Sequence, residues 1–305
     1  MNNELLYHGL QQLGLLYDPS ISSYFGTALE YYGSFLRETD WFRALPSDMQ
    51  RRYSFCIALN GMKFSLAAEN FQKPLDKDAL SAAVCFILAG CLLDHLLDEG
   101  DPDSRTTALE KLDWEYCAHY FVEFGPAKTA HVVDLLYSTI ASFLKKKMGT
   151  APIIYNDLLS HMQRAVQSEV YTSEERSNPT DMVLTTDKSI LFVVIGFELA
   201  LYGEHLPREW ETFFLIGDIL RMIDDLCDAE QDVLAGRVNS LLPNDKETNS
   251  LWLCRSLDNL QQALVRLKDL VREPLFSFIC YEIQSWTLSN TYLCKKIMET
   301  PPCQT

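Results

Sequence analysis

The stretch FFLIGDILRMIDDLCDAEQDVLAGRVNSLL, residues 213–242, combines an apolar helical pattern with a high density of acids. Asp224, Asp228 and Asp232 recur every four residues, a spacing that stacks three side chains on one face of a helix. A solvated acidic helix normally carries Lys or Arg one turn away, but Arg221 is the only base before the helical pattern ends. An acidic exposed face is one interpretation. The other, which we favour, is that an external cation neutralises the column.

A second acidic segment, CLLDHLLDEGD at residues 91–101, closes an apolar helical run. Asp94 and Asp98 lie four residues apart and share a helix face, and the helix dipole disfavours acids at this end. Carboxylates of this kind suit Mg²⁺ or Mn²⁺, which keep waters and bridge to substrate phosphates. A di-iron bundle would need a Glu-x-x-His pair on each of two helices, and neither segment has one.

The rest of the chain predicts an all-α fold. Between Gly and Pro breaks, apolar residues recur at i, i+3, i+4 and i+7, and alternating β patterns are few. We expect one domain over residues 1–305, a bundle of about ten helices, because no linker or repeat divides the chain. The predicted helices are 25–37, 47–71, 77–99, 104–123, 127–147, 153–174, 181–202, 208–235, 249–271 and 275–296.

Composition and charge limit the classes of binding partner and the cellular compartment that we expect for this chain. With 42 acidic and 26 basic residues the formal charge is −16, which argues against a nucleic-acid partner. The apolar runs Ala82–Leu93 and Ile190–Phe197 are shorter than the roughly 18 residues that span a bilayer. The N-terminus lacks the pattern of a secretory signal, and nine cysteines are spread without a CxxC pair. We expect a cytoplasmic protein with reduced thiols and no transmembrane segment.

Two aspartate-rich helix segments about 130 residues apart in an all-helical chain resemble the class I isoprenoid synthase superfamily, which includes trans-prenyl diphosphate synthases and class I terpene cyclases. The likeness covers roughly residues 45–295. It implies a helical bundle around a central cavity, with the two motifs facing each other and three Mg²⁺ ions, or Mn²⁺ instead, holding a substrate diphosphate. The resemblance assigns metal binding to Asp94, Asp98, Asp224, Asp228 and Asp232, and catalysis to the first four of them.

The second segment fits both branches of the superfamily. As the synthase pattern DDxxD it comprises Asp224, Asp225 and Asp228. As the cyclase pattern (N/D)Dxx(S/T/D)xxx(E/D) it comprises Asp224, Asp228 and Asp232, trailed by Gly236 and Asn239. The first segment departs from DDxxD, because His95 occupies its second position and leaves Asp94 and Asp98 with Glu99.

Further residues acquire expected roles from the same resemblance. The candidates for contact with the substrate are Arg176, Lys188, Arg237 and Asn239. Aromatic rings that could stabilise a carbocation by cation–π contact are Phe86, Phe192, Phe213 and Trp286, each of which also fits an ordinary core position.

The resemblance predicts an enzyme that ionises a linear prenyl diphosphate, and the basic residues favour a cyclase. A chain-elongating synthase holds a second diphosphate and usually carries a GGKRxRP segment and an arginine pair after its first motif. This chain has neither; Arg105 is the next base after Asp98. An elongating synthase, a non-catalytic synthase subunit and an unrelated helical interaction protein stay open as alternatives, and so does a homodimer.

Overall fold

A computed structural model describes residues 25, 30, 37–129, 131–149, 151–174, 179–202, 209–235, 239, 241, 250–290 and 293. Within these ranges the chain forms eleven α-helices and no β-strand, which confirms the all-α prediction. The helices are α1 Asp40–Ala44, α2 Ser47–Asn70, α3 Lys77–Glu99, α4 Pro102–Lys111, α5 Trp114–Phe121, α6 Val132–Lys147, α7 Pro152–Glu174, α8 Pro179–Ala200, α9 Trp210–Ala235, α10 Ser250–Leu270 and α11 Glu273–Ser289.

Helices α2 and α3 form an antiparallel hairpin that begins the core. Asp76 starts α3 as its N-cap, because its carboxylate accepts hydrogen bonds from the backbone N–H groups of Asp78 at 2.9 Å and Ala79 at 3.3 Å. In the turn before it, Gln72 adopts a left-handed backbone with φ 56°. The cap begins a new helix at this point, and the turn before it directs α3 back along α2.

Five helices pack into a closed ring in the order α2, α3, α8, α9 and α11, with α11 returning to α2. Both acidic segments therefore belong to helices that flank α8. Aromatic residues also join helices across the ring: Phe64 of α2 meets Phe197 of α8 edge to face at 5.2 Å. A Cβ on Gly196 would lie 2.5 Å from Phe64 Cζ, so only glycine permits this close approach.

Helix α3 contains the stretch Lys77–Leu97, which by length and composition alone could cross a membrane. This stretch is longer than the uninterrupted apolar run Ala82–Leu93, because it also includes isolated polar residues. More than half of the stretch is buried against neighbouring helices, as in a core helix of a globular protein. Among the described residues no clear transmembrane segment therefore emerges.

Several predicted helix boundaries are wrong. The single helix expected at 104–123 is two helices, because Asp113 caps a new start by accepting from the N–H groups of Glu115 and Tyr116. The first of the two begins earlier, at Pro102, with Asp101 as its N-cap. Helix α6 begins at 132 rather than 127, and α1 has no predicted counterpart. Most of the helix predicted at 25–37 lies outside the described residues, as does the end of the one predicted at 275–296.

A buried carboxylate joins α4, α5 and α6. Asp134 is fully buried, and Lys111 Nζ lies 2.7 Å from its Oδ2. The hydroxyls of Tyr116, Tyr120 and Thr129 also donate to it. Burial acts to raise the pKa of Asp134, but Lys111 and the hydroxyl donors outweigh it and lower the pKa to about 2.

Candidate functional site

The charges of both acidic segments act on the thiol of Cys91, which lies on α3 one turn before Asp94. A hydrogen bond with Cys56 and burial raise the pKa of this thiol well above its usual value, and the charges of Asp94 and Asp224 raise it further. The charges of one carboxylate from each segment therefore both act on this sulfur. Helix packing thus brings together acids that are far apart in the sequence.

The acidic column of α9 changes from exposed to buried along its length. The side chains of Asp224 and Asp228 are exposed, whereas Asp232 is only 8% exposed. Asn239 holds this buried end, since its Nδ2 donates to Asp232 Oδ2 at 2.9 Å and to the backbone oxygen of Asp225 at 2.7 Å. Its Oδ1 accepts from the N–H of Leu241 at 3.1 Å.

These hydrogen bonds give Asn239 a structural role beside the predicted one. Both hydrogens of its amide and its carbonyl oxygen are engaged with protein groups, and the residue is 3% exposed. A contact with substrate would require some of these bonds to break inside the protein, at a cost of about 1–3 kcal/mol for a group left unsatisfied. In the structure Asn239 orients Asp232, and its contact with substrate stays a prediction.

Arg221 neutralises the acids on the other face of α9. Its guanidinium donates to Asp218 Oδ1 at 2.6 Å and to Asp225 Oδ2 at 2.9 Å. Its side chain is 9% exposed and that of Asp225 is 13% exposed, so the pair is largely shielded from solvent. This contact holds Asp225 apart from the column of Asp224, Asp228 and Asp232. It therefore helps to distinguish the DDxxD pattern from the cyclase pattern.

In the first segment, the ring of His95 contacts Arg52 of α2. Arg52 Nη1 lies 2.8 Å from His95 Nε2. Asp94 is exposed, and Asp98 lies one turn further along α3 with its side chain outside the described residues. The residue that breaks the DDxxD pattern therefore has a structural contact of its own.

A polar column on α2, which sequence reasoning missed, continues from this region into the core. Lys63 and Glu282 form an ion pair of 2.8 Å with side chains only 3% and 2% exposed. Lys63 Nζ also donates to Asn60 Oδ1 at 3.3 Å, and Asn60 Nδ2 lies 3.5 Å from Cys56 Sγ. Spacings of three and four place Cys56, Asn60 and Lys63 on one helix face, a signal that an otherwise apolar helix could have revealed.

The structure describes the remaining predicted substrate-contact and aromatic residues to different extents. Lys188 is on α8 with its side chain outside the described residues, and Arg176 and Arg237 lie outside them entirely. Phe213 is fully buried and stacks on Phe197 at 4.6 Å, so it is a core residue. The remaining candidate rings are Phe86, which is buried and stacks on the partly buried Phe192 at 5.2 Å, and the partly buried Trp286.

The carboxylates of the two acidic segments fit a hard divalent cation such as Mg²⁺ only if water or phosphate oxygens complete its coordination. In the described part of the chain no three His, Cys, Asp or Glu side chains come close enough to hold a metal on their own. The Asp98 side chain falls outside that part. Exposed carboxylates on α3 and α9 suit Mg²⁺ that completes its shell with water and phosphate oxygens, because Mg²⁺ dehydrates reluctantly. Magnesium binding therefore stays a prediction.

Comparison of this sequence with protein-family models and with curated proteins found no match. The function must be argued from the chemistry of the acidic residues and from the motif resemblance.

Proposed function

We propose that this protein is a Mg²⁺-dependent class I terpene synthase with an isoprenoid synthase-like fold, which ionises a linear prenyl diphosphate and releases a cyclised terpene and diphosphate. The observation that carries the proposal is that α3 and α9, which bear the two acidic motifs, both pack against α8, with the charges of Asp94 and Asp224 both acting on the Cys91 thiol. In this proposal the diphosphate binds between the carboxylates of the two motifs.

In this proposal Asp94, Asp98, Asp224 and Asp228 hold Mg²⁺ together with the diphosphate, and Asp232 completes the α9 ligands. Bound Mg²⁺ supplies Lewis-acid stabilisation of the charge on the leaving diphosphate. Asn239 keeps Asp232 in one orientation, as residues behind metal ligands commonly do. The predicted cationic contacts, Arg176, Lys188 and Arg237, would bind the diphosphate oxygens.

The interior of the helix ring would exclude water from the allylic cation. Phe86 of α3, the helix that bears the first motif, and Phe192 of α8 form a stacked pair. An apolar, aromatic lining lets a carbocation react with its own double bonds before water captures it.

The pairing of Arg221 with Asp225 favours the cyclase pattern over DDxxD. DDxxD requires Asp225 as a ligand, but this carboxylate is held by a largely buried arginine. The cyclase triad of Asp224, Asp228 and Asp232 leaves that ion pair intact. The missing basic residues of an elongating synthase support the same choice.

Product analysis tests the proposal. Incubation with Mg²⁺ and linear C10, C15 or C20 diphosphates, with and without isopentenyl diphosphate, should yield a cyclic hydrocarbon or alcohol that does not need isopentenyl diphosphate. A longer linear diphosphate formed only with isopentenyl diphosphate would show an elongating synthase. No turnover together with no binding of Mg²⁺ and pyrophosphate would refute both.

A further inference from the structure

The buried ion pair of Lys63 and Glu282 leaves hydrogen-bonding groups unsatisfied within the described part of the chain. Glu282 Oε1 lies 2.8 Å from Lys63 Nζ, and the two side chains are only 3% and 2% exposed. The other carboxylate oxygen, Glu282 Oε2, is buried and has no hydrogen-bond partner among the described residues. Lys63 Nζ has three hydrogens, and in the same part of the chain its second acceptor is Asn60 Oδ1 at 3.3 Å. The pair can therefore accept one more hydrogen bond and donate another.

A water molecule matches this pattern. A carboxylate oxygen that is buried without a donor costs free energy, so the site favours a ligand that donates to Glu282 Oε2. The N–H of Lys63 beside it requires a lone pair, which a hydrocarbon lacks. Water supplies both groups in one small molecule, and buried waters commonly bridge polar atoms of this kind.

Contacts at the two ends of α11 show how deep this pair lies in the ring. The backbone N–H of Arg272, just before the helix, donates to Asn70 Oδ1 at the end of α2 at 2.6 Å. Past the other end, Asn290 Nδ2 donates to the backbone oxygen of Cys227 at 2.8 Å, within the acidic segment of α9. Glu282 precedes Asn290 by about two helical turns, which places the ion pair roughly 12 Å from the acidic end.

Aromatic packing fills the ring on the side of the pair that is away from the acidic segments. Phe64 follows Lys63 on α2 and meets Phe197 of α8 edge to face at 5.2 Å. Phe197 stacks on Phe213 of α9 at 4.6 Å, and Phe71 at the end of α2 meets Phe213 edge to face at 5.5 Å. Helices α2 and α9 are not adjacent in the ring, so these side chains meet across its interior. The ion pair thus lies between the acidic segments and an aromatic floor.

Cyclisation would bring positive charge to this depth, a consequence that rests on the proposed function. Loss of diphosphate makes the allylic carbon a cation, and a distal double bond of the same chain attacks it. The new C–C bond leaves the charge on the more substituted carbon of that double bond, at the end of the chain far from the diphosphate. A diphosphate held by the acidic residues would direct this end of the chain toward Lys63 and Glu282.

We propose that Lys63 and Glu282 hold a water molecule that captures the distal cation, so that the product is a cyclic tertiary alcohol. The water accepts a hydrogen bond from Lys63 Nζ and donates one to Glu282 Oε2. A single water fixed at this depth reaches the cation only after ring closure. Its presence is therefore compatible with the exclusion of other water from the allylic cation.

The capture step transfers one proton to Glu282. The water oxygen uses a lone pair to form a C–O bond with the tertiary carbon, which removes the charge from that carbon and gives a protonated alcohol. Glu282 Oε2 takes the proton from this oxygen and becomes a neutral carboxylic acid. The proton passes to solvent when the alcohol leaves, and another water binds. Glu282 is thus a catalytic base, and Lys63 is a positioning residue that orients the water.

Isotope labelling of the wild-type protein tests the source of the oxygen. Incubation with Mg²⁺ and linear C10, C15 or C20 diphosphates in H₂¹⁸O should yield a cyclic tertiary alcohol as the main product, with the label in its hydroxyl group. A cyclic hydrocarbon as the main product, or an alcohol without the label, would overturn the proposal while leaving the terpene synthase function intact. No product from any diphosphate would instead refute the proposed function, and the catalytic role of the water with it.

Variants assign the capture step to the ion pair. Glu282→Gln keeps the shape of the side chain but removes the base, and it should lower the ratio of alcohol to hydrocarbon by roughly a hundredfold. The double variant Lys63→Met with Glu282→Leu should shift the products in the same direction. The ratio is the measured quantity because a loss of folded protein lowers both products equally.

The matched control is Asp134→Asn, which alters another buried carboxylate that is paired with a lysine, and it should keep the wild-type ratio. An unchanged ratio in the double variant would overturn the role of Lys63 and Glu282.

A crystal structure of the wild-type protein tests the water site without turnover. An ordered water should lie within about 3.2 Å of both Glu282 Oε2 and Lys63 Nζ. Clear density for the pair with no water between these atoms would overturn the site, even if the protein is an active terpene synthase.

Discussion

At the scale of single residues, the five aspartates along α9 experience different surroundings despite their shared chemistry. Arg221 binds Asp218 and Asp225, and Asn239 holds Asp232 in a buried position. Asp224 and Asp228 remain exposed at the end that meets the first acidic segment. These differences give each carboxylate a distinct expected response to substitution.

Asp224→Ala or Asp228→Ala should lower product formation by roughly two or more orders of magnitude, the scale of loss when a group that stabilises developing charge is removed. Each change also relieves like-charge repulsion along the helix, so the melting temperature without metal should stay the same or rise. Turnover assays and thermal melts measure the two effects. Asp225→Asn serves as the control and should keep most activity. Full activity in Asp224→Ala would exclude this residue as a metal ligand.

At the scale of elements, buried polar contacts join helices that hydrophobic packing alone would leave free to slide. The ion pair of Lys63 and Glu282 links α2 to α11 and closes the ring. The Asp134 cluster links α4, α5 and α6 beside it. Both depend on having all their partners in place, since an isolated charge in the core is costly.

Glu282→Ala should lower the free energy of unfolding by about 3–5 kcal/mol, because it leaves the Lys63 charge buried without its partner. The double variant Lys63→Met with Glu282→Leu removes both charges and should recover most of that loss. Urea denaturation of the wild type, both single variants and the double variant measures the coupling. Additive losses would mean that the two residues do not depend on each other.

The Asp134 cluster predicts a specific dependence of stability on pH. In the folded protein the pKa of Asp134 is lowered from 3.8 to about 2. A lowered carboxyl pKa means that the stabilisation is complete above the unfolded value and is lost as the pH falls from 3.8 toward 2.

Urea denaturation of wild type and Asp134→Asn between neutral pH and pH 2 measures this effect. The wild type should be the more stable at neutral pH, and the difference should shrink across the acidic interval only. A difference that stays constant down to the lowest pH would contradict the assigned ionisation.

At the scale of the whole molecule, the ring of five helices brings both acidic segments to one place. No pair of neighbouring residues in the sequence creates the candidate site; it forms when α3 and α9 both pack against α8. Binding at such a site should therefore stabilise the complete fold and not one helix.

Mg²⁺ and pyrophosphate together should raise the melting temperature by more than the sum of their separate effects. Each ligand supplies charge and coordination that the other needs, and binding to the folded state stabilises it by mass action. Thermal melts with each ligand alone and with both provide the comparison, with Asp225→Asn again as the control. Strictly additive shifts would argue against a shared site.

The local pattern was sufficient to predict much of the fold. Helices α2, α3, α7 and α9 begin and end within two residues of their predicted limits, because long periodic runs fix a helix independently of its neighbours. The split at Asp113 was missed because an aspartate in a periodic run becomes a cap only when its carboxylate turns back to the backbone.

The sequence by itself determined that the chain is helical and that two helices end in acidic clusters, since both properties follow from residue type and spacing. Only the tertiary structure decided that charges from both acidic segments act on the Cys91 thiol and that Asn239, beyond the end of α9, orients Asp232. The physical reason is that periodicity defines which face of a helix is apolar, whereas side-chain partners across helices depend on crossing position and register, which packing of the whole ring sets.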